Sequence, residues 1–279
     1  MKRILHLSDL HFGRARPDLE APLLAAIARN RPDLVVVSGD FTQRARHVQF
    51  RRAQDFLAKL PAPVLSVPGN HDTPLDRPFE RLLAPFRRYR RYVDEDTEPV
   101  FSDGKLTVVG VNTVNPLAWQ QGKFSSRARD RVARRLAEHP ADLSVVVVHH
   151  PLEHGPKVDK RLMRGARAAL AQLSDCGADV VLSGHLHRAS SAPFRAAPGL
   201  LFVQAGTGLS SRTRGDDNTF NLLDWEETGA LRVTTWGARG QGAQAVFAPE
   251  ASAMFRREGR VWARQPAAPG AAALSRRCA

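Results

Sequence analysis

The chain has 279 residues, 43% hydrophobic and 25% charged, which is typical of a globular protein able to bury a core without disulfides. Its apolar runs are far shorter than the ~20 residues that span a bilayer, and residues 1–9 lack the apolar stretch of a signal peptide. Two cysteines, Cys176 and Cys278, cannot form a disulfide framework. We therefore expect a cytoplasmic protein rather than a secreted or membrane-spanning one.

The formal net charge of +13 can indicate a nucleic acid or an anionic membrane surface as partner. However, only six of the 41 basic residues are lysines, and the arginines are spread along the chain instead of forming one block. A GC-rich genome produces the same bias whatever the function. Charge alone therefore selects no partner, and nothing in the sequence indicates an obligate protein partner.

Short apolar runs alternate with amphipathic segments over the first third of the chain. The spacing of apolar residues predicts strands at 4–7, 33–38 and 64–67, and helices at 20–28 and 50–60. This alternation is typical of βαβ units, in which parallel strands are buried on both faces.

Residues 79–92 form a predicted basic helix, with an apolar stripe of Phe79, Leu82, Leu83 and Phe86 opposite its arginines. Such a helix can lie on anionic lipid or bind a polyanion. Two predicted strands follow at 99–102 and 106–112, and the Asp103-Gly104 dipeptide between them predicts a hairpin.

The rest of the chain continues this alternation and then becomes rich in strands. The predicted elements are helices at 125–139 and 160–174, and strands at 143–148, 179–183, 200–204, 220–225, 231–236 and 261–264. Residues 265–279 are rich in Pro, Ala and Gly and are predicted to be disordered. We expect one domain over residues 1–264.

Five of the predicted strands end in side chains that can bind metal. These residues are Asp9, His11, Asp40, Asn70, His71, His149, His185 and His187. Ligands of open α/β sheets lie beyond the carboxyl ends of the strands, so these residues are expected to meet at one edge of the fold. Asp, His and Asn without Cys suit a divalent ion such as Mn, Fe or Zn. They are too many for one ion, whereas two ions sharing a bridging carboxylate use them all, and such sites support displacement at phosphorus.

The blocks Asp9-x-His11, Gly39-Asp40, Gly69-Asn70-His71-Asp72, His149-x-Pro151 and Gly184-His185-x-His187 resemble the signature of the calcineurin-like metallophosphoesterases. Residues 5–13, 39–43 and 111–113 are similar to a bacterial subgroup likened to the cyclic-nucleotide phosphodiesterases. The resemblance implies a four-layer α/β/β/α sandwich of two mixed β-sheets flanked by helices.

The resemblance also implies the ligand sets. One metal ion would be held by Asp9, His11, Asp40 and His187, and the other by Asp40, Asn70, His149 and His185, with Asp40 bridging. The ions would be Mn²⁺, Fe²⁺/Fe³⁺ or Zn²⁺. Their bridging hydroxide would attack phosphorus in line with the leaving group.

His71 is the candidate catalytic residue, because the family places the histidine of this block near the substrate phosphate. Part of the family orients this histidine with an aspartate three residues after the Gly-Asp aspartate, where this chain has Gln43, so a modest acid or a good leaving group is expected. Asp72 either orients His71 or caps the next segment.

In the His149-His150 pair the family block selects His149 as the ligand. If the strand alternates to its end, only one of the two can face the metals. His150 is then either buried structure or a contact behind the ligands.

The sequence therefore predicts a dinuclear-metal phosphodiesterase acting on a small phosphodiester, such as a 3′,5′-cyclic nucleotide. Three alternatives remain. A DNA or RNA nuclease would explain the charge, a hydrolase of a nucleotide-linked lipid such as a UDP-diacylglucosamine would explain the basic helix, and an interaction protein could use the same fold without catalysis.

Overall fold

Two mixed β-sheets pack face to face in the computed structural model, which describes residues 1–155, 158, 161–213 and 216–266. The strands are β1 (Lys2–Leu7), β2 (Leu34–Val37), β3 (Val64–Ser66), β4 (Val100–Ser102), β5 (Leu106–Gly110), β6 (Leu143–Val147), β7 (Val180–Ser183), β8 (Ser190–Pro193), β9 (Leu201–Gln204), β10 (Thr219–Trp225), β11 (Ala230–Arg239), β12 (Val246–Glu258) and β13 (Val261–Arg264). The helices are α1 (Pro17–Asn30), α2 (His47–Leu57), α3 (Pro78–Leu83), α4 (Arg87–Tyr92), α5 (Ser126–Glu138) and α6 (Ala166–Asp175).

The first sheet has the order β13-β12-β11-β10-β1-β2-β3, and β1, β2 and β3 are parallel, as the alternation of the first third predicts. The second sheet has the order β4-β5-β6-β7-β9-β8, and its four central strands are parallel. In both sheets the parallel strands therefore end at one edge, where their loops meet.

Three apolar layers hold the sandwich together. One lies between the first sheet and α1, α2 and α4, a second between the two sheets, and a third between the second sheet and α5 and α6. Neighbouring residues of β2 show the division, since Leu34 faces the other sheet and Val35 faces the helices. The predicted four-layer α/β/β/α sandwich is confirmed. No helix among the described residues has the length and apolar character that crossing a membrane requires.

The predicted continuous helix over 79–92 is wrong, because the structure has two short helices there. The chain breaks between α3 and α4 because Pro85 disfavours the helical conformation at Ala84, where φ is −147°. The apolar side chains of α3 are exposed to solvent, whereas Arg88 on α4 is buried.

The predicted helix over 160–174 begins later than expected. Lys160 lies outside the described residues, and α6 starts only after Gly165, whose φ of +81° is left-handed. Just before it, Arg164 donates its backbone N–H to the Gly122 carbonyl, which keeps that stretch extended.

The hairpin at Asp103-Gly104 is confirmed, since β4 and β5 pair antiparallel across it. Strands β8 and β12 were missed by the sequence analysis, because β12 is largely exposed and lacks a clear apolar alternation. The predicted disordered segment 265–279 lies outside the described residues from 267 onward, and the domain limit at 264 stays a prediction.

Candidate metal centre

Seven buried side chains meet where five parallel strands end. Asp9 and His11 follow β1, Asp40 follows β2, Asn70 follows β3, His149 follows β6, and His185 and His187 follow β7. The structure therefore brings together every residue that the sequence analysis proposed as a ligand, from positions up to 178 residues apart in the chain.

The first group of ligand atoms surrounds Asp9. Its Oδ1 lies 3.0 Å from Nε2 of His187 and 3.4 Å from Nε2 of His11. The two histidine nitrogens are 3.3 Å apart. Three potential ligands from β1 and β7 thus face one point.

The second group surrounds His149. Its Nε2 lies 3.4 Å from Oδ2 of Asp40 and 3.2 Å from Oδ1 of Asn70. One ring nitrogen from each of His149, His150 and His185 lies within 4.8 Å of the others. Asp40 Oδ2 is also 3.6 Å from Nε2 of His11. Asp40 is therefore the carboxylate that both groups share.

These distances suit metal ions. Ligand atoms that bind one ion at about 2.1 Å lie roughly 3 to 3.5 Å from each other. Asp9 Oδ1 is buried without a hydrogen-bond donor, although a buried carboxylate oxygen normally has one. A cation would provide the missing partner, so the residues present fit two divalent ions.

Each carboxylate uses one oxygen for the protein and presents the other to the cluster. Asp9 Oδ2 accepts hydrogen bonds from the Ser8 hydroxyl at 2.6 Å and the His185 backbone N–H at 2.9 Å. Asp40 Oδ1 accepts one from the His71 backbone N–H at 2.8 Å. These bonds fix the orientation of the free oxygens.

Two histidines are anchored through Nδ1 in the same way. His149 donates to the Ser38 carbonyl at 2.7 Å, and His187 donates to the Arg212 carbonyl at 2.6 Å. A proton on Nδ1 leaves Nε2 as the lone-pair nitrogen, which is the form that binds metal.

The backbone at the site is strained. Asp9, His11, Asp40, His185 and His187 all have φ between 48° and 70°, a left-handed conformation that L-residues rarely adopt. These tight turns direct the side chains at the strand ends toward one another. The backbone packs tightly around the Asp40 carboxylate, because a Cβ at Gly69 would overlap it.

The charges of the cluster stabilise one another. Burial opposes ionisation of Asp40, but the neighbouring His149, His71 and His11 outweigh it and keep its pKa below the usual range. Burial likewise opposes protonation of His149, but Asp40 and Asp9 raise the pKa of its imidazole to about 9. The carboxylates and imidazoles of the cluster therefore favour each other's charged forms.

His71 lies at the margin of this cluster, with its ring 4.9 Å from that of His11. Its Nδ1 donates to the Gln43 carbonyl at 2.9 Å, which turns Nε2 away from Gln43. Burial lowers the pKa of His71, although the Asp40 carboxylate acts in the opposite direction. Gln43 thus orients His71 through its main chain and brings no carboxylate to the ring.

Asp72 holds two loops together. Its carboxylate accepts hydrogen bonds from the backbone N–H groups of Phe41, Thr42 and Gly69, at 2.9 to 3.2 Å. The bond from Gly69 closes the turn Asn70–Asp72, which contains Asp72 itself and is not the next segment that Asp72 was expected to cap, while the bonds to residues 41 and 42 fix the loop that carries Asp40. Its carboxylate makes no hydrogen bond to the His71 ring in the described part of the chain.

His150 also belongs to the cluster, and the alternation argument against it is wrong. Strand β6 ends at Val147, so His149 and His150 both lie beyond the region where neighbours alternate. The His150 ring is 4.8 Å from that of His185, and its Nδ1 is 2.9 Å from the Thr113 hydroxyl. The sequence would have placed His150 beside the other ligands only if the end of β6 at Val147 had been predicted correctly.

A family model described as calcineurin-like phosphoesterase matches residues 2–189 of the chain. Among curated proteins, the glycerophosphodiester phosphodiesterase GpdQ of Enterobacter lignolyticus is 31% identical over 157 residues, which are 49% of this chain and 56% of that protein. A probable cyclic nucleotide phosphodiesterase of Synechococcus is 26% identical over 213 residues, 67% of this chain and 73% of that protein. The chain thus matches little more than half the length of the first relative.

Among solved structures, the purple acid phosphatase PPD1 from yellow lupin seeds superposes with a TM-score of 0.66 at 12% identity. The superposition covers 89% of this chain and 52% of the lupin chain. At this identity the likeness concerns the fold alone.

Proposed function

Because the chain belongs to the calcineurin-like phosphoesterase family and is thus a metal-dependent phosphoester hydrolase, we propose that it is a dinuclear phosphodiesterase. Its proposed substrate is a small phosphodiester, of which a 3′,5′-cyclic nucleotide is the first candidate. The relatives named for glycerophosphodiester and cyclic-nucleotide hydrolysis support the diester class.

The observation that carries the proposal is the shared position of Asp40. Its Oδ2 lies between His11 Nε2 of the first group and His149 Nε2 of the second, at 3.6 and 3.4 Å. The proposed ligands of one ion are Asp9, His11, Asp40 and His187, and those of the other are Asp40, Asn70, His149 and His185. Two divalent ions held there would activate a water molecule as nucleophile and neutralise the phosphate oxygens.

We assign the leaving-group side to His71. With Nδ1 bound to the Gln43 carbonyl, its Nε2 is the ring nitrogen left to contact substrate. No carboxylate among the described residues bonds to this ring, so His71 is a modest acid. This suits a diester whose departing oxygen needs little protonation.

The test starts from protein stripped of metal with EDTA and reloaded with Mn²⁺, Zn²⁺ or Fe²⁺. Hydrolysis of bis(p-nitrophenyl) phosphate is compared with that of p-nitrophenyl phosphate, and bound metal per chain is measured in parallel. We expect two ions per chain and metal-dependent cleavage of the diester. Cleavage of the monoester alone would replace the proposal by a phosphatase, and one ion per chain would refute the dinuclear centre.

The matched variants are His149→Ala and His47→Ala, since His47 is an exposed histidine on α2. The first should lose diester cleavage and the second should retain it. Cyclic nucleotides, single-stranded DNA and nucleotide-linked lipids are then compared as substrates. Cleavage of DNA with a steep salt dependence would favour the nuclease alternative.

A further inference from the structure

The apolar face of helix α3 is exposed to solvent, and its polar face packs against the protein. Phe79, Leu82 and Leu83 have the i, i+3, i+4 spacing of one helix face, and this face is turned to solvent. Glu80 and Arg81 lie on the opposite face, against the protein. A surface helix of a globular protein normally has the reverse arrangement.

Polar contacts hold α3 in this orientation. Glu80 accepts two hydrogen bonds, at 3.0 and 2.6 Å, from the guanidinium of Arg88, which is itself buried and also donates to the Ala45 carbonyl. Arg81 donates to the carbonyls of Pro116 and Ala118, at 2.8 Å each, and to the Thr73 hydroxyl. The outward position of the apolar face is therefore built into the fold and is not a consequence of loose packing.

The loop that Arg81 binds is apolar at its surface as well. It carries Leu117 and Trp119, and these two side chains together with the three of α3 are between 58% and 81% exposed. We call Phe79, Leu82, Leu83, Leu117 and Trp119 the apolar ridge. Five of the nine large exposed hydrophobic residues in the described part of the chain belong to it. Single exposed apolar residues are common, whereas five of them on two segments that Arg81 joins are typical of an interaction surface.

The charged residues near the ridge bear on the class of partner that it could bind. Residues 77–92 contain six arginines and one acidic residue, Glu80, while Asp76 precedes this segment and Asp94, Glu95 and Asp96 follow it. Arg77 and Arg87 are exposed next to α3, where both form ion pairs with Glu80, and Arg90 and Arg91 are exposed on α4. Two copies meeting ridge to ridge would bring these arginines together and repel each other. An anionic lipid surface would match both the apolar side chains and the positive flank.

We propose that the apolar ridge docks this protein on an anionic phospholipid bilayer, with the ridge in the interfacial layer and the flanking arginines on the headgroups. The proposal rests on the surface of α3 and its neighbouring loop and is independent of the proposed catalytic function.

The ridge also borders the candidate metal centre. The loop that carries Leu117 and Trp119 starts near Thr113, whose hydroxyl contacts His150, and ends at Gly122, where a Cβ would meet the His150 ring. Thr73, which Arg81 binds, follows the turn Asn70–Asp72. Docking would therefore bring the metal centre close to the membrane surface.

The test measures binding of the full chain to extruded vesicles by co-sedimentation. Vesicles of phosphatidylcholine alone are compared with vesicles containing phosphatidylglycerol. We expect binding only to the anionic vesicles, weakened at high salt. The variant Phe79→Ser/Leu83→Ser should bind at least tenfold more weakly, while Val246→Ser/Val261→Ser, which removes two exposed valines of β12 and β13, should bind like wild type.

Two further measurements make the result decisive. The fluorescence maximum of wild type should shift to the blue with anionic vesicles, and Trp119→Phe should lose this shift. Equal binding by Phe79→Ser/Leu83→Ser, or no vesicle binding by wild type, would overturn the proposal. It would also be overturned by a wild-type dimer that this variant converts to a monomer. Unchanged cleavage of bis(p-nitrophenyl) phosphate by the variant would separate docking from catalysis.

Discussion

Replacing His6 should change how acid destabilises the metal-free protein. His6 lies on β1, and alternation with Leu5 and Leu7, which face the helices, directs its ring between the two sheets. Its Nε2 is 2.8 Å from the Ser38 hydroxyl, and its Nδ1 is buried without a hydrogen-bond partner. Burial lowers the pKa of His6 from 6.5 to about 3, although Asp9 acts in the opposite direction.

The sign follows from proton uptake on unfolding. Above pH 6.5 the imidazole is neutral in both states and has no effect. As the pH falls below 6.5, His6 becomes protonated in the unfolded chain, whereas in the folded chain it stays neutral down to about pH 3. The free energy of unfolding therefore decreases over this range. At about 1.4 kcal/mol per pH unit, the loss from this residue at pH 5 is about 2 kcal/mol.

The assay is urea unfolding of the EDTA-treated protein between pH 5.0 and 7.5. Wild type and His6→Gln share all other titrating groups, so the difference between their free energies of unfolding isolates His6. This difference should change by about 2 kcal/mol in favour of the variant as the pH falls. An unchanged difference between wild type and His6→Gln would refute the neutral buried state.

Three more outcomes are expected. Divalent metal at a hundred times its Kd should stabilise the protein by about 2.7 kcal/mol, seen as a rise in Tm that EDTA reverses; an unmoved Tm would contradict a built site. Gly69→Ala should lose metal binding in calorimetry because its Cβ would displace Asp40, whereas Gly155→Ala, with open space around it, should bind like wild type. Arg88→Met should cost about 2 kcal/mol in urea unfolding because it leaves the buried Ala45 carbonyl without its donor and Glu80 with only the exposed Arg77 and Arg87, while a similar loss in the exposed Arg90→Met would refute this explanation.

The strand ends that build the site could be predicted from sequence, because apolar runs followed by Gly-Asp or Gly-His mark the point where a buried parallel strand stops. His150 could not be placed in the same way. Its position depends on β6 ending at Val147, a boundary that apolar Val148 conceals.

The orientation of α3 was equally inaccessible. An apolar stripe has the same spacing whether it faces the core or the solvent. The contacts that decide its direction are long-range hydrogen bonds that Arg81 donates to two carbonyls of a distant loop, and the bonds that Glu80 accepts from the buried Arg88. The hydrogen bond from His187 to the Arg212 carbonyl could not be predicted either, because every residue has a backbone carbonyl and the sequence does not show which one accepts.

The five left-handed residues of the metal centre have a consequence for how such a chain can evolve. Each holds an unfavourable backbone conformation whose cost is on the order of 1 kcal/mol or more. A site whose side chains are directed by its main chain would stay assembled if bound ions were exchanged. Mutations that replace a ligand and relax its turn would gain stability while losing chemistry. Descendants that keep this fold but lose catalytic residues would therefore be more stable than their ancestor.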